Sequence, residues 1–121
     1  MKIKKIHIEI KKLDDALSEA GEAFERLSEG KTVKKKSAVY FSSIKDLRKV
    51  LTEKRLELLK TIKDRKPSSV YELAKISNRD IKNVLQDVGY LKEIGMIDVV
   101  DTGDKKIPTV QYDVIVLELA L

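Results

Sequence analysis

The spacing of apolar residues changes repeatedly along this chain, and each change predicts an element. Ile6, Ile8 and Ile10 alternate with His7 and Glu9, the period of two expected of a half-buried strand. Leu13, Ala16, Leu17, Ala20, Phe24 and Leu27 follow at helical spacing with charged residues between them. That pattern predicts an amphipathic helix over residues 12–28, closed by Gly30 just past its end. Residues 31–36 hold four lysines and one large apolar residue, Val33. They read as a connector, either a basic arm on phosphate or a solvated loop. Residues 38–41 read as a short strand. Ser42 or Ser43 then caps a short helix with Ile44, Leu47, Val50 and Leu51 facing inward.

Thr52 offers a new cap, and Leu56, Leu59 and Ile62 repeat at helical spacing as far as Arg65. Pro67 ends that helix, because the residue before a proline avoids the helical region. Ser69 and Glu72 form a capping box that starts a short helix with Leu73, Ala74 and Ile76 on its apolar face. Ser77 and Asp80 repeat the pattern and predict a longer helix over residues 79–94. Its inward face is Ile81, Val84, Leu85, Val88, Leu91 and Ile94, and Gly95 stands just past its end. Beyond Gly95 the periodicity becomes strand-like over residues 96–100. Residues 101–106 have turn chemistry and 107–112 return as a second strand, which together predict a β-hairpin. The apolar run Val114–Leu119 reads as a final strand.

A short helix joined by a tight capped turn to a longer one is the helix-turn-helix unit, and the hairpin after it takes the place of a wing. The predicted class is α+β: a winged helix-turn-helix over residues 52–112, a strand and helix extension over 1–51, and a strand over 113–121.

Composition removes several functional classes. There is no cysteine, so disulfides and thiolate metal sites are excluded. His7 is the only histidine, and a structural zinc site needs several Cys or His ligands. It reads as a structural or surface residue. No nucleophile, base and metal constellation is visible, so neither an enzyme nor a cofactor is expected. With 5% aromatics, the chain lacks the exposed rings that stack on RNA bases. No apolar run approaches the roughly 20 residues of a membrane-spanning helix, and no signal peptide is recognisable. A cytoplasmic protein is expected. Charged residues make up 37% and amides are few, a bias that suits a thermophile. The net charge of +5 favours an anionic partner. However, residues 1–51 carry 13 basic and 8 acidic residues, net +5, whereas 52–112 carry 12 and 10, net +2. Any electrostatic argument for the candidate motif therefore rests on where its charges sit.

Residues 51–99, opening LTEKRLELL and continuing through RDIKNVLQDVGYLKEIGMI, resemble the small, mostly archaeal, MarR-like winged-helix proteins. The segments LDDALSEAGEAFERLSEG, FSSIKDLRKV and PTVQYDVIVLEL resemble the same family. The resemblance implies a DNA-binding transcriptional regulator, in some cases paired with a toxin-like partner. The hairpin departs from the pattern, since Asp101, Asp104 and Ile107 make it less basic.

The long helix can be read without that resemblance. Arg79, Lys82, Asn83 and Gln86 fall on the side opposite its apolar face. A recognition helix reads base edges with its N-terminal residues. Arginine suits guanine O6 and N7, and asparagine and glutamine suit adenine N6 and N7. Lys82 suits a phosphate or a guanine. A solvated helix face is the plainer explanation. Against it, Asn83 is a poor helix former in mid-helix, and three of the four amide side chains lie in this helix and its cap. Asp80 reads as a capping carboxylate and Asp87 as a flanking residue. Phosphate contacts are expected from Ser68, Ser69, Tyr71, Lys75, Lys105 and Lys106, around a hairpin of residues 101–107. Tyr71 fits a half-buried packing role equally well. The expected partners are double-stranded DNA and a second copy of the chain, since helix-turn-helix proteins commonly bind as dimers. The 13–27 apolar face either pairs with its copy or covers the core, and strands 6–10 and 114–119 are candidate sheet edges. A protein-interaction module, such as an antitoxin or complex subunit, is the alternative function.

Overall fold

The structure is a computed structural model and describes residues 2–31 and 38–121. The lysine connector of residues 31–36 lies outside the described residues except for Lys31. Among the described residues the fold is mixed α+β, with five strands and five helices. In chain order these are β1 (Lys5–Ile10), α1 (Leu13–Ser28), β2 (Ala38–Phe41), α2 (Ile44–Val50), α3 (Glu53–Arg65), α4 (Val70–Ser77), α5 (Ile81–Glu93), β3 (Asp98–Asp101), β4 (Lys106–Thr109) and β5 (Val114–Leu119).

Helix starts follow local capping chemistry. Ser43, rather than Ser42, caps α2 by accepting from the Asp46 N–H at 3.1 Å, while Ser42 bonds the Asp46 carboxylate. Thr52 caps α3 and Ser69 caps α4, each accepting from the N–H three residues on. The second capping box does not form as expected. Ser77 is the last residue of α4, and Asn78 closes that helix in the left-handed conformation at φ 51°. The N–H groups of Asn78 and Arg79 donate to Lys75 and Ala74 carbonyls, as in a Schellman closure. Asp80 is the cap of α5, accepting from the Lys82 N–H at 2.8 Å. The long helix is therefore 81–93 instead of 79–94, and Arg79 lies in the turn before it.

One core gathers residues from three parts of the chain. Ile6, Ile8 and Ile10 of β1 pack in the same cluster as Leu58, Leu59 and Ile62 of α3. Leu73 of α4, Val84, Val88 and Leu91 of α5, and Met96 and Ile97 join them. Leu85, expected inside, is 41% exposed.

The three-stranded sheet has the order β2-β1-β5, with both pairings parallel. Strand β1 is thus the centre of its sheet and not an edge; the edges are β2 and β5. The second sheet is the antiparallel hairpin β3-β4, in register Val99 to Pro108 and Val100 to Ile107. It is shorter than expected, because Val110 and Tyr112 turn back onto the core instead of continuing β4.

Asp113 fastens the start of β5. Its carboxylate accepts from the Lys4 N–H at 3.0 Å and pairs with Lys63 of α3 at 2.9 Å. The Lys4 N–H first, and Lys63 second, hold the Asp113 carboxyl below its ordinary value of 3.8. A depressed folded-state value means the contribution is present above 3.8 and is lost as pH falls through the lower folded value. Asp113→Asn is expected to lower stability at neutral pH. The gap to the native chain should close as pH drops below 3.8, as read by urea unfolding at a series of pH values.

Candidate nucleic-acid interface

Two adjoining clefts lie along the α4–α5 pair, and the hairpin borders one of them. One, of about 510 Å³, lies between the start of α4, the side of α5 and the hairpin turn. Ser69, Tyr71 and Leu85 face Lys105 and Lys106 across it. The other, of about 500 Å³, runs between α4 and the turn into α5 and is lined by Tyr71, Lys75, Asn78 and Arg79. Tyr71 belongs to both and is 68% exposed, so a half-buried packing role does not apply to it.

The fold thus brings Ser69, Tyr71, Lys75, Lys105 and Lys106 onto one side. On the exposed part of α5, Lys82, Asn83 and Gln86 follow. Their side chains make no hydrogen bond among the described residues, so their donors and acceptors are free for a ligand.

Three residues are already engaged. Arg79 is drawn back by Asp87, with Nη2 to the carboxylate at 2.8 Å, and lies outside the α5 stripe. Ser69 caps α4. Ser68 donates to the Glu72 carboxylate at 2.6 Å, and that bond is the main reason Glu72 titrates below the ordinary carboxylate range. A helix start normally welcomes phosphate, but here a carboxylate occupies it.

Arg55 is the residue that sequence reasoning missed. Its Nε bonds Asp87 at 3.1 Å and its Nη1 bonds the Val50 carbonyl at 2.6 Å. Its guanidinium lies 4.7 Å from the centre of the Tyr90 ring, a cation–π distance. Asp87, expected as a flanking residue, is the anchor between two arginines. It joins α3, α5 and the turn before α5.

The hairpin turn is tightly determined. Asp101 accepts from the Gly103 N–H at 2.9 Å, and Thr102 accepts from the Lys105 N–H at 3.1 Å. Gly103 sits at φ +91°, a conformation glycine takes without steric cost. The whole face is balanced in charge: Lys75, Lys82, Lys105 and Lys106 are exposed, and so are Glu72, Asp80, Asp101 and Asp104.

The HVO_A0114 family model matches residues 50–117, from the end of α2 into β5 and more than half of the chain. The chain belongs to the HVO_A0114 family. The matched segment contains every residue of the two clefts and of the α5 stripe, and it leaves α1 outside. No curated protein and no solved structure matches the chain. Among the described residues no helix is long and apolar enough to cross a membrane. The same residues contain no group of three or more His, Cys, Asp or Glu side chains placed to hold a metal.

Proposed function

We propose that α3, α4, α5 and the hairpin β3-β4 form a winged helix-turn-helix that binds double-stranded DNA and regulates transcription. The observation that carries this reading is that unengaged Lys82, Asn83 and Gln86 are exposed on the first two turns of α5, the helix whose Leu85 faces the hairpin lysines across the first cleft. In this arrangement α5 enters the major groove. Asn83 and Gln86 meet adenine edges, and Lys82 meets a guanine or a phosphate. Lys75, Lys105 and Lys106 contact the backbone, with the Tyr71 hydroxyl as a further donor. Arg79 supports the fold through Asp87 rather than reading a base.

Lys105→Ala with Lys106→Ala is expected to weaken binding to all duplexes alike. The salt dependence of the association constant should become shallower by about 1–2 in log–log slope, near 0.9 for each phosphate that no longer meets a lysine. Titration of labelled duplexes at several salt concentrations reads this. An unchanged slope removes the hairpin from the interface.

The charge balance of the face favours a second reading, a winged helix that binds a protein. A stable co-purifying partner, together with no duplex binding at low salt, would establish it.

A further inference from the structure

Helix α1 contributes nothing to the core. None of its residues is buried, so it does not cover the rest of the molecule. Leu13, Leu17, Phe24 and Leu27 are 67%, 60%, 72% and 60% exposed. With Ala20 they are spaced four, three, four and three residues apart. That mean repeat of 3.5 is the spacing of a coiled-coil seam, narrower than the stripe of a core-facing helix.

The residues beside the seam are Ala16, Gly21, Ala23 and Ser28, small and uncharged, with Asp14 the one charged flank. Asp15, Glu19, Glu22, Glu25 and Arg26, four acids and one base, occupy the outer positions. Glu19, with Glu9, pairs with Lys11 and holds that ammonium above the ordinary lysine value. Covering the seam therefore buries no carboxylate from the outer face. An anionic lipid surface is a poor occupant, because it selects helices rich in Lys and Arg on the polar face, and this polar face is acidic.

The charges at the helix ends select the occupant and its direction. Asp14 and Asp15 stand in the first turn and Arg26 in the last. A second copy running antiparallel brings Asp14 and Asp15 of each first turn towards Arg26 in the partner's last turn, where Glu25 also stands, and opposes the helix dipoles favourably. A parallel copy sets Asp14 against Asp14.

We propose that the chain is a homodimer in which α1 packs antiparallel on α1 of a second copy. Leu13, Leu17, Ala20, Phe24 and Leu27 form the seam, and Ala20, midway between Leu13 and Leu27, lies at the two-fold axis. The seam is about 21 Å long at 1.5 Å per residue.

Light scattering of the full chain at tens of micromolar is expected to give a dimer mass. Leu17→Glu with Phe24→Glu is expected to raise the dissociation constant at least about 100-fold, since four carboxylates then lie in the apolar seam. The variant should keep a dispersed amide spectrum, because the core forms without α1. Direction is read by disulfide trapping, as the chain has no cysteine of its own. Leu13→Cys and Leu27→Cys should cross-link rapidly only when the two variants are mixed and oxidised, and Ala20→Cys should link to itself. A native monomer, or a double variant as dimeric as the native chain, overturns the pairing. Self-linked Leu13→Cys, formed as fast as the mixed product, overturns the antiparallel direction. None of these measurements uses DNA, so their outcome is separate from the fate of the winged-helix reading.

Discussion

Replacing Lys82, Asn83 and Gln86 together by alanine is expected to abolish sequence discrimination while leaving the fold intact. All three are exposed on α5, and none of their side chains bonds another group among the described residues. Stability should therefore change by less than about 0.5 kcal/mol, as for ordinary surface positions. Each well-formed amide–adenine pair contributes about 1–3 kcal/mol of discrimination. Removing two such pairs and one lysine should weaken binding to the preferred duplex about 100- to 10,000-fold. Binding to a scrambled duplex rests on phosphate contacts and should fall only by the share of Lys82. Anisotropy titrations with both duplexes separate the two effects. Equal losses on both would mean that α5 does not read bases.

The second large effect is on stability. Asp87→Ala is expected to cost about 2–3 kcal/mol, measured by urea unfolding. The Asp87 side chain is 13% exposed, and its partners Arg55 and Arg79 are 14% and 22% exposed. Removing the anion leaves two largely buried guanidiniums without their counter-charge. Complete burial would bring the cost to about 3–5 kcal/mol, and partial solvent access reduces it. Asp87→Asn retains one acceptor oxygen without the charge and should lose less. A change below about 0.5 kcal/mol for Asp87→Ala would mean that the triad does not hold α3 to α5.

Features set by neighbours a few residues apart were legible in the sequence. Thr52 and Ser69 announce helix starts because a short side-chain oxygen and an N–H three residues on suffice to form a cap. Gly95 and Gly103 mark positions of positive φ for an equally local reason. The α4–α5 turn was misplaced, with Ser77 read as starting the capping box of the longer helix, because Ser77 and Asp80 are both competent caps. Asn78, by entering the left-handed region, keeps Ser77 inside α4 and leaves Asp80 to start α5. That small shift takes Arg79 off the helix and gives it to Asp87.

Long-range features left no such local trace. Arg55 and Asp87 are 32 residues apart, and no periodicity links them. The central place of β1 depends on parallel partners from β2 and from β5, the latter near the opposite end of the chain. The exposure of α1 was equally hidden, because an apolar helical stripe looks the same whether it faces the chain's own core or a second copy. The exposed Leu85, counted on the inward face, shows that helical spacing assigns a side without telling how far the neighbouring elements extend over it.

Selection of bound sequences from a pool of random duplexes at low salt, with the native chain and the Lys82/Asn83/Gln86 triple-alanine variant side by side, tests DNA reading by α5 most directly. The native chain should enrich a defined motif, and the variant should retain duplexes without enriching it. No duplex retained by the native chain, or the same motif enriched by both proteins, would contradict it.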